Sequence, residues 1–345
     1  MRKTKFLCLA LALMLTALLM GSCSTAPNPE PAGSEAEVSN HESEDIKTES
    51  EDEKTESEDE KNESEAERIS VMSYNINGFD VTEERTAAVS QLIESYMPDI
   101  VFLQEPAQDW MTKLEANLSG HYGFVYGLER HGVNNDAEGA RGANSFQPIL
   151  YAKDRYEVIE WGTKWLSDTP DTVSKFAEAD YYRILTYAKM KDNTTGKTFV
   201  AVNNHLDTAH HSIRKREMVK IVEILNELYP KEAIIFAGDM NSGVTEEGLE
   251  FLIKCKFVYA GHSAGNIDWV FYTPDTCAAS NWVYVEDKIN GNMPSDHPAV
   301  YCEITLKSSV SDKARNWADI LAEESGGINY KTDDETGFGP VHPIY

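Results

Sequence analysis

The chain has 345 residues, room for one large domain or two ordinary ones, and a formal net charge of −27 at pH 7. With 58 acidic residues against 31 basic ones, it lacks the fold-wide basic footprint that holds nucleic acid tightly without sequence preference. Five cysteines are too few for a disulfide framework.

Arg2, Lys3 and Lys5 precede an apolar run from Phe6 to Met20, and Gly21 and Ser22 lead into Cys23. Residues 1–23 therefore read as an export signal. As a helix the run spans about 22 Å, short of the ~30 Å hydrocarbon core, so a permanent span is the poorer reading. Leu19-Met20-Gly21-Ser22-Cys23 resembles a bacterial lipobox. That implies a lipid on Cys23, attachment to the membrane and a cell-surface lipoprotein; cleavage and secretion is the alternative. After export Cys255, Cys277 and Cys302 accompany Cys23, and with Cys23 lipidated at most one pair can form.

Residues 24–68 read as an acidic tether. They hold three near-copies of one heptad, KTESEDE, KTESEDE and KNESEAE, and carry seventeen acids against four bases. The heptads have no apolar a and d positions, so no coiled-coil seam can form. Such a segment cannot repay its ordering entropy and is expected to be disordered, spanning roughly 35–40 Å as a flexible coil. Residues 69–345 keep 41 acids and 24 bases, a net −17.

From Ile69 the pattern alternates between strand and helix. Strands are predicted at 69–76, 99–104, 148–152, 156–165, 184–190, 198–205, 233–237, 269–272, 282–285 and 299–305. Helices are predicted at 82–96, 108–118, 212–229 and 245–253, the third with Met218, Ile221, Val222, Leu225 and Leu228 on one stripe. Many short strands with few helices imply an α/β sandwich, two sheets face to face with helices outside. Segments 127–143 and 168–182 read as long polar loops. Residues 69–307 are taken as one domain and 308–345 as an extension of unknown role, with a short helix over 310–324.

The informative signal is positional. Asn75 ends VMSYN, Glu105 ends DIVFLQE, His205 and Asp207 end FVAVNNHLD, and Asp239 and Asn241 end AIIFAGDMN. Asp268 opens IDWVF, and Asp296 and His297 precede PAV. One such residue is an ordinary turn former or helix cap. A whole set, all of types suited to oxygen coordination and proton transfer, reads as one functional site.

SYNIN, QE, NNHLD, GDMN, IDWVF and SDHP, in this order, resemble the motifs of the endonuclease/exonuclease/phosphatase superfamily, the deoxyribonuclease-like enzymes. WLSDTP at 165–170 followed by Arg183 also resembles a bacterial exported branch. The resemblance implies a four-layer α/β sandwich, two packed mixed β-sheets flanked by helices. It implies a Mg²⁺ (or Mn²⁺) ion held by Glu105, Asn75 and Asp296, since a hard cation prefers carboxylate oxygen. His297 would be the general base, with Asp268 fixing its tautomer. Asp239 would orient the attacking water, Asn241, His205 and Arg183 would contact the phosphate, and Asp207 would support them. The glutamate that pairs with the equivalent of His205 in pancreatic deoxyribonucleases has only Glu129 in its region here, out of register.

The expected activity is thus metal-dependent hydrolysis of a small or compact phosphoester outside the cell by a monomer. A secreted nuclease for DNA or RNA is the alternative, although the charge does not favour nucleic acid. From another class, the chain could be a surface binding protein that keeps the fold without the chemistry.

Overall fold

The computed structural model describes residues 67–79, 81–131, 145–307 and 313–327. The signal segment, Cys23, the tether through residue 66, the 127–143 loop from residue 132 on and the chain from 328 lie outside them.

In chain order the first elements are β1 (Arg68–Asn75), α1 (Glu83–Tyr96), β2 (Ile100–Gln104), α2 (Gln108–Leu118), β3 (Tyr122–Val125) and β4 (Ile149–Ala152). Then come β5 (Tyr156–Trp165), β6 (Ile184–Asp192), β7 (Thr198–His205), α3 (His211–Leu228), β8 (Ile234–Asp239) and α4 (Glu247–Lys254). The last are β9 (Val258–Tyr259), β10 (Asp268–Tyr272), β11 (Cys277–Val285), β12 (Ala299–Leu306) and α5 (Trp317–Gly327).

The strands form two six-stranded mixed sheets, ordered β11-β12-β1-β2-β4-β3 and β5-β6-β7-β8-β10-β9. The two share one design. Each has a central parallel pair joined through a helix, β1–α1–β2 or β7–α3–β8, with antiparallel strands on both sides. Parallel neighbours need a crossover, and a helix supplies it.

Central strands are buried on both faces because one face meets the other sheet and the other meets a helix. Between the sheets pack Val71, Phe102, Ile149, Phe199, Ile235 and Val300. Two further apolar layers lie under the helices, one around Leu92, Trp110 and Leu103, the other around Val222, Leu225 and Phe236. Three apolar layers between helix, sheet, sheet and helix make the four-layer α/β sandwich that the motifs implied.

Local chemistry sets the helix ends. Thr82 caps α1 by accepting the Arg85 N–H at 3.2 Å, and Glu83 and Glu84 occupy the first turn. The helix stops at Met97, whose φ of 45° lies in the left-handed region.

The short strands β3 and β9 escaped the sequence reading because pairing, not periodicity, makes them strands. β11 begins at Cys277, earlier than predicted, since its start of small residues pairs with the end of β12. Beyond 307 the helix is α5, which starts later than expected, and its first residue, Trp317, is part of the core. Trp317 is buried, stacks on Phe257 with centroids 5.3 Å apart and donates from Nε1 to the Cys255 carbonyl at 2.7 Å. Arg315 donates to the Glu232 carbonyl at 2.8 Å. Cys255, Cys277 and Cys302 are buried free thiols. Among the described residues no helix is long and apolar enough to cross a membrane.

Candidate active site

Strand direction gathers the site. β1 and β2 run parallel, as do β7 and β8, so Asn75, Glu105, His205 and Asp239 all sit at or just past carboxyl ends. β10 runs antiparallel to β8 with Asp268 paired to Asp239, so it begins where β8 finishes. β12 runs antiparallel to β1, and the turn before it brings Asp296 and His297 beside Asn75. One end of the sandwich therefore collects the polar ends of both sheets.

Tight backbone approaches hold these ends. Gly238 has φ 151°, and a Cβ there would stand 2.0 Å from the Asn204 carbonyl oxygen, so the G of GDMN is a steric requirement. Glu105 and Asn241 adopt φ 72° and 47°, left-handed values that cost non-glycine residues energy and concentrate at functional positions. Beneath the site Gln104 Nε2 donates to Asn203 Oδ1 at 2.9 Å, and Asn203 Nδ2 donates to the Leu103 carbonyl at 2.8 Å, tying one sheet to the other.

Asp239 Oδ2 is the hub. It accepts from Asn75 Nδ2 at 3.0 Å and stands 3.5 Å from His205 Nε2 and 3.9 Å from His297 Nε2. The Asp239 Oδ1 atom accepts the Asn241 N–H at 2.8 Å. His297 Nδ1 donates to Asp268 Oδ2 at 2.9 Å, which leaves Nε2 facing Asp239. Glu105 accepts from Asn75 Nδ2 at 3.2 Å and from the Gly78 N–H at 3.0 Å.

Burial and like charge set the protonation states. Asp239 is pushed up to about 6, first by burial and then by the Asp268 charge. Asp268 is likewise raised by burial. For His297 burial opposes the charged form. The hydrogen bond to Asp268 and the charges of Asp268, Asp239 and Asp296 outweigh it and lift the imidazole to about 10. His205 goes the other way: burial, then the charges of Arg183, His297 and Arg130, hold it well below its ordinary value and keep it neutral.

Several expected contacts look different in the structure. Asn75 turns its NH₂ to the two carboxylates, while its oxygen accepts the Asn77 N–H at 3.0 Å. Asn241 Nδ2 donates to the Leu206 carbonyl at 2.8 Å. Asp296 is exposed, and Ser295 Oγ donates to its Oδ1 at 3.4 Å. β7 ends at His205, so Asp207 lies just past the strand. Asp207 is buried and accepts the N–H groups of Tyr181 and Ala209 at 2.8 and 2.7 Å, which fixes the 168–182 loop against the site. Glu129 bonds His131 at 3.0 Å, consistent with its being out of register for His205.

Other contributors were missed. Arg130 is buried in a segment read only as loop, and its charge acts on Glu105 and His205. Glu217 on α3 accepts the Asp207 N–H at 2.8 Å, and burial raises its carboxyl to about 8. Arg85 straps two loops, donating to the Ile76 and Asn77 carbonyls at 2.8 and 3.0 Å and to Pro294 at 3.3 Å. An arginine at a helix start gives no sequence signal of such a role.

The donor chemistry fits a hard divalent cation. Asp239, Asp268 and Glu105 crowd one another, and among the described residues Asp268 Oδ1 is buried without a hydrogen-bond partner. Asp239, Asp268 and His297 offer ligand atoms within 4.8 Å of one another. An ion among these three would compete with the 2.9 Å His297–Asp268 hydrogen bond. Glu105, reachable from solvent, is therefore the better anchor.

Residues 72–297 match the model of the endonuclease/exonuclease/phosphatase family. A tyrosyl-DNA phosphodiesterase 2 of Gallus gallus is 24% identical over 176 residues, half of this chain and 41% of that protein, so the chain spans about two-fifths of that relative's length. Among solved structures, a Bacteroides vulgatus endonuclease/exonuclease/phosphatase superposes with TM-score 0.61 at 24% identity, covering 70% of this chain and 99% of that one. A Bacteroides thetaiotaomicron mannosyl-6-phosphatase does so with TM-score 0.61 at 22% identity, covering 69% and 99%. At such identities the structural likeness speaks for the fold.

Proposed function

The chain belongs to the endonuclease/exonuclease/phosphatase family, whose members act on phosphoesters, and from that premise we propose that it hydrolyses a small or compact phosphoester with a water activated by His297. The observation that carries the reading is the Asp268–His297–Asp239 line, with a 2.9 Å hydrogen bond on one side of the imidazole and a carboxylate 3.9 Å from the other. Asp268 holds the tautomer, His297 Nε2 takes the proton of the attacking water, and Asp239 Oδ2 orients that water. Neutral His205 donates to a phosphate oxygen, and Arg183 contributes a planar fork. A divalent cation at Glu105, Mg²⁺ or Mn²⁺, when bound would polarise the phosphoryl group and offset the carboxylate charge that keeps His297 protonated.

The charge pattern favours small substrates over DNA. Of the basic residues flanking the site, Lys164 pairs with Asp171, Arg214 with Glu246, Lys215 with Glu247 and Arg216 with Glu178, and Lys175 donates to backbone carbonyls. Cations already neutralised release few counterions on binding a polyanion. The test is kcat/KM for plasmid DNA, RNA, lipid phosphodiesters, sugar phosphates and inositol phosphates with Mg²⁺ or Mn²⁺, at low and physiological ionic strength. Small esters should be turned over more efficiently than duplex DNA, with a shallow salt slope on DNA. Efficient DNA cleavage with a steep salt slope would make the protein a nuclease.

Export and lipid attachment at Cys23 are part of the same proposal, supported by the leader residues alone. Cys23→Ala should move the protein from the membrane fraction to the soluble fraction of bacterial cells. Unchanged membrane association would remove the lipid anchor.

A further inference from the structure

We propose that Glu217 is a positioning residue for phosphate binding: from α3 it fixes Asp207, and through Asp207 and Tyr181 it holds Arg183 where the substrate phosphate arrives. This rests on the reading of the site as a phosphoester hydrolase. Glu217 is fully buried, on the stripe of α3 that Ile213 one turn before it and Ile221 one turn after it share. Among the buried residues of α3 it alone is ionisable, and a carboxyl on an apolar stripe is costly to bury.

The hydrogen bonds show what that carboxyl does. Its Oε2 accepts the Asp207 N–H at 2.8 Å. Asp207 accepts the Tyr181 N–H through Oδ2 at 2.8 Å and the Ala209 N–H through Oδ1 at 2.7 Å. Phe176 and Ala179, in the same segment as Tyr181, pack on Ile213 of α3. The contacts thus start at a helix residue, cross the end of β7 and finish two residues before Arg183.

Arg183 depends on this support. It is 4% exposed, and among the described residues its Nε has no hydrogen-bond partner. The Tyr181 ring packs against it, with the guanidinium carbon 5.0 Å from the ring centroid. Its charge acts on His205 and on Glu217, so it stands near both the site and the helix residue.

Glu217 fills this role as a neutral acid. Burial lifts its carboxyl to about 8; the Asp207 N–H and the charges of Arg183 and Arg214 oppose the rise, and the Asp207 charge adds to it. Arg214 is itself engaged by Glu246 at 2.8 Å. Below that pH the protonated carboxyl leaves the Arg183 charge to an arriving anion. Above it the carboxylate forms within the field of Arg183, and phosphate binding weakens as the pH rises.

The experiment measures kcat and KM for p-nitrophenyl phosphate with Mg²⁺ in wild type, Glu217→Gln and Glu217→Leu, at one pH unit on either side of the Glu217 titration. Glutamine mimics the neutral acid, with an acceptor for the Asp207 N–H and a donor in place of the acid O–H, and should keep the low-pH KM within about threefold of wild type. Leucine suits the apolar stripe but leaves the Asp207 N–H without an acceptor, so KM should rise about tenfold while kcat changes less. Between the two pH values KM should rise about three- to tenfold more in wild type than in Glu217→Gln, effects common to both proteins cancelling in the ratio. A wild-type KM in Glu217→Leu, or the same pH dependence in wild type and Glu217→Gln, would overturn the proposal. Should Glu217→Leu fail to fold, the pH comparison with Glu217→Gln decides alone. The rise in melting temperature caused by inorganic phosphate reads binding without turnover, and from low to high pH it should shrink in wild type relative to Glu217→Gln. Phosphate binding in that pattern without ester hydrolysis would refute the hydrolase reading and leave the positioning role standing; hydrolysis without the pattern would do the reverse.

Discussion

Replacing His297 by alanine is expected to lower kcat at least about 10²-fold, the range for a lost general base, while the melting transition is kept. The side chain is half-buried in the turn before β12, outside the three apolar layers, so its removal opens no core cavity. Asp268→Asn is the sharper variant. The amide keeps the shape but loses the charge and can turn its NH₂ toward the ring, so the tautomer is no longer held; a fall of about 10²–10⁴-fold follows. The two variants differ in titration. With Asp268 intact, His297 in the metal-free protein stays protonated until about pH 10, because the hydrogen bond and the carboxylate charges favour the imidazolium. Removing one of those carboxylates takes away its stabilisation of the charged form, so the His297 titration in Asp268→Asn must move to lower pH. NMR of the ring protons reads this directly. A titration left in place would detach Asp268 from the base, and a folded His297→Ala enzyme with near wild-type activity would remove His297 from the mechanism.

The second large effect concerns Glu105. Glu105→Gln should nearly abolish activation by Mg²⁺ or Mn²⁺, because an amide offers one neutral oxygen where a hard cation prefers charge. Folding should change little. Glutamine can still accept the Gly78 N–H, but its NH₂ would face the Asn75 NH₂ donor that now reaches Glu105 at 3.2 Å, a local mismatch and not a core defect. Activity against metal concentration, with circular dichroism of the same samples, separates the two effects. Excess EDTA should stop the wild-type reaction. Full turnover in EDTA would take the cation out of the account, and a Glu105→Gln enzyme activated at wild-type metal concentrations would place the ion elsewhere.

Both experiments address residues that the linear sequence already singled out, and the reason is geometric. A strand that must be apolar along its body and polar at its tip marks the transition in one dimension, so Asn75, Glu105, His205, Asp239, Asp268 and His297 stood out without a fold. The same holds for the layers: the apolar runs of β7 and β8 and the stripe of α3 have periods that only one kind of element can bury. What pairing and long-range packing decide was not legible. β9 is two residues long and exists because Phe271 and Tyr272 lie beside it. Trp317 belongs to the core although some sixty residues separate it from Cys255 and Phe257. Side-chain orientation belongs to the same class. No motif tells that the Asn75 NH₂ reaches Glu105 and Asp239 while its oxygen accepts the Asn77 N–H. Arg130 and Arg85 carry no motif at all. Their roles arise because a loop and a helix start, distant in sequence, fold against the strand tips, where a buried charge must be answered by whatever the three-dimensional arrangement brings near.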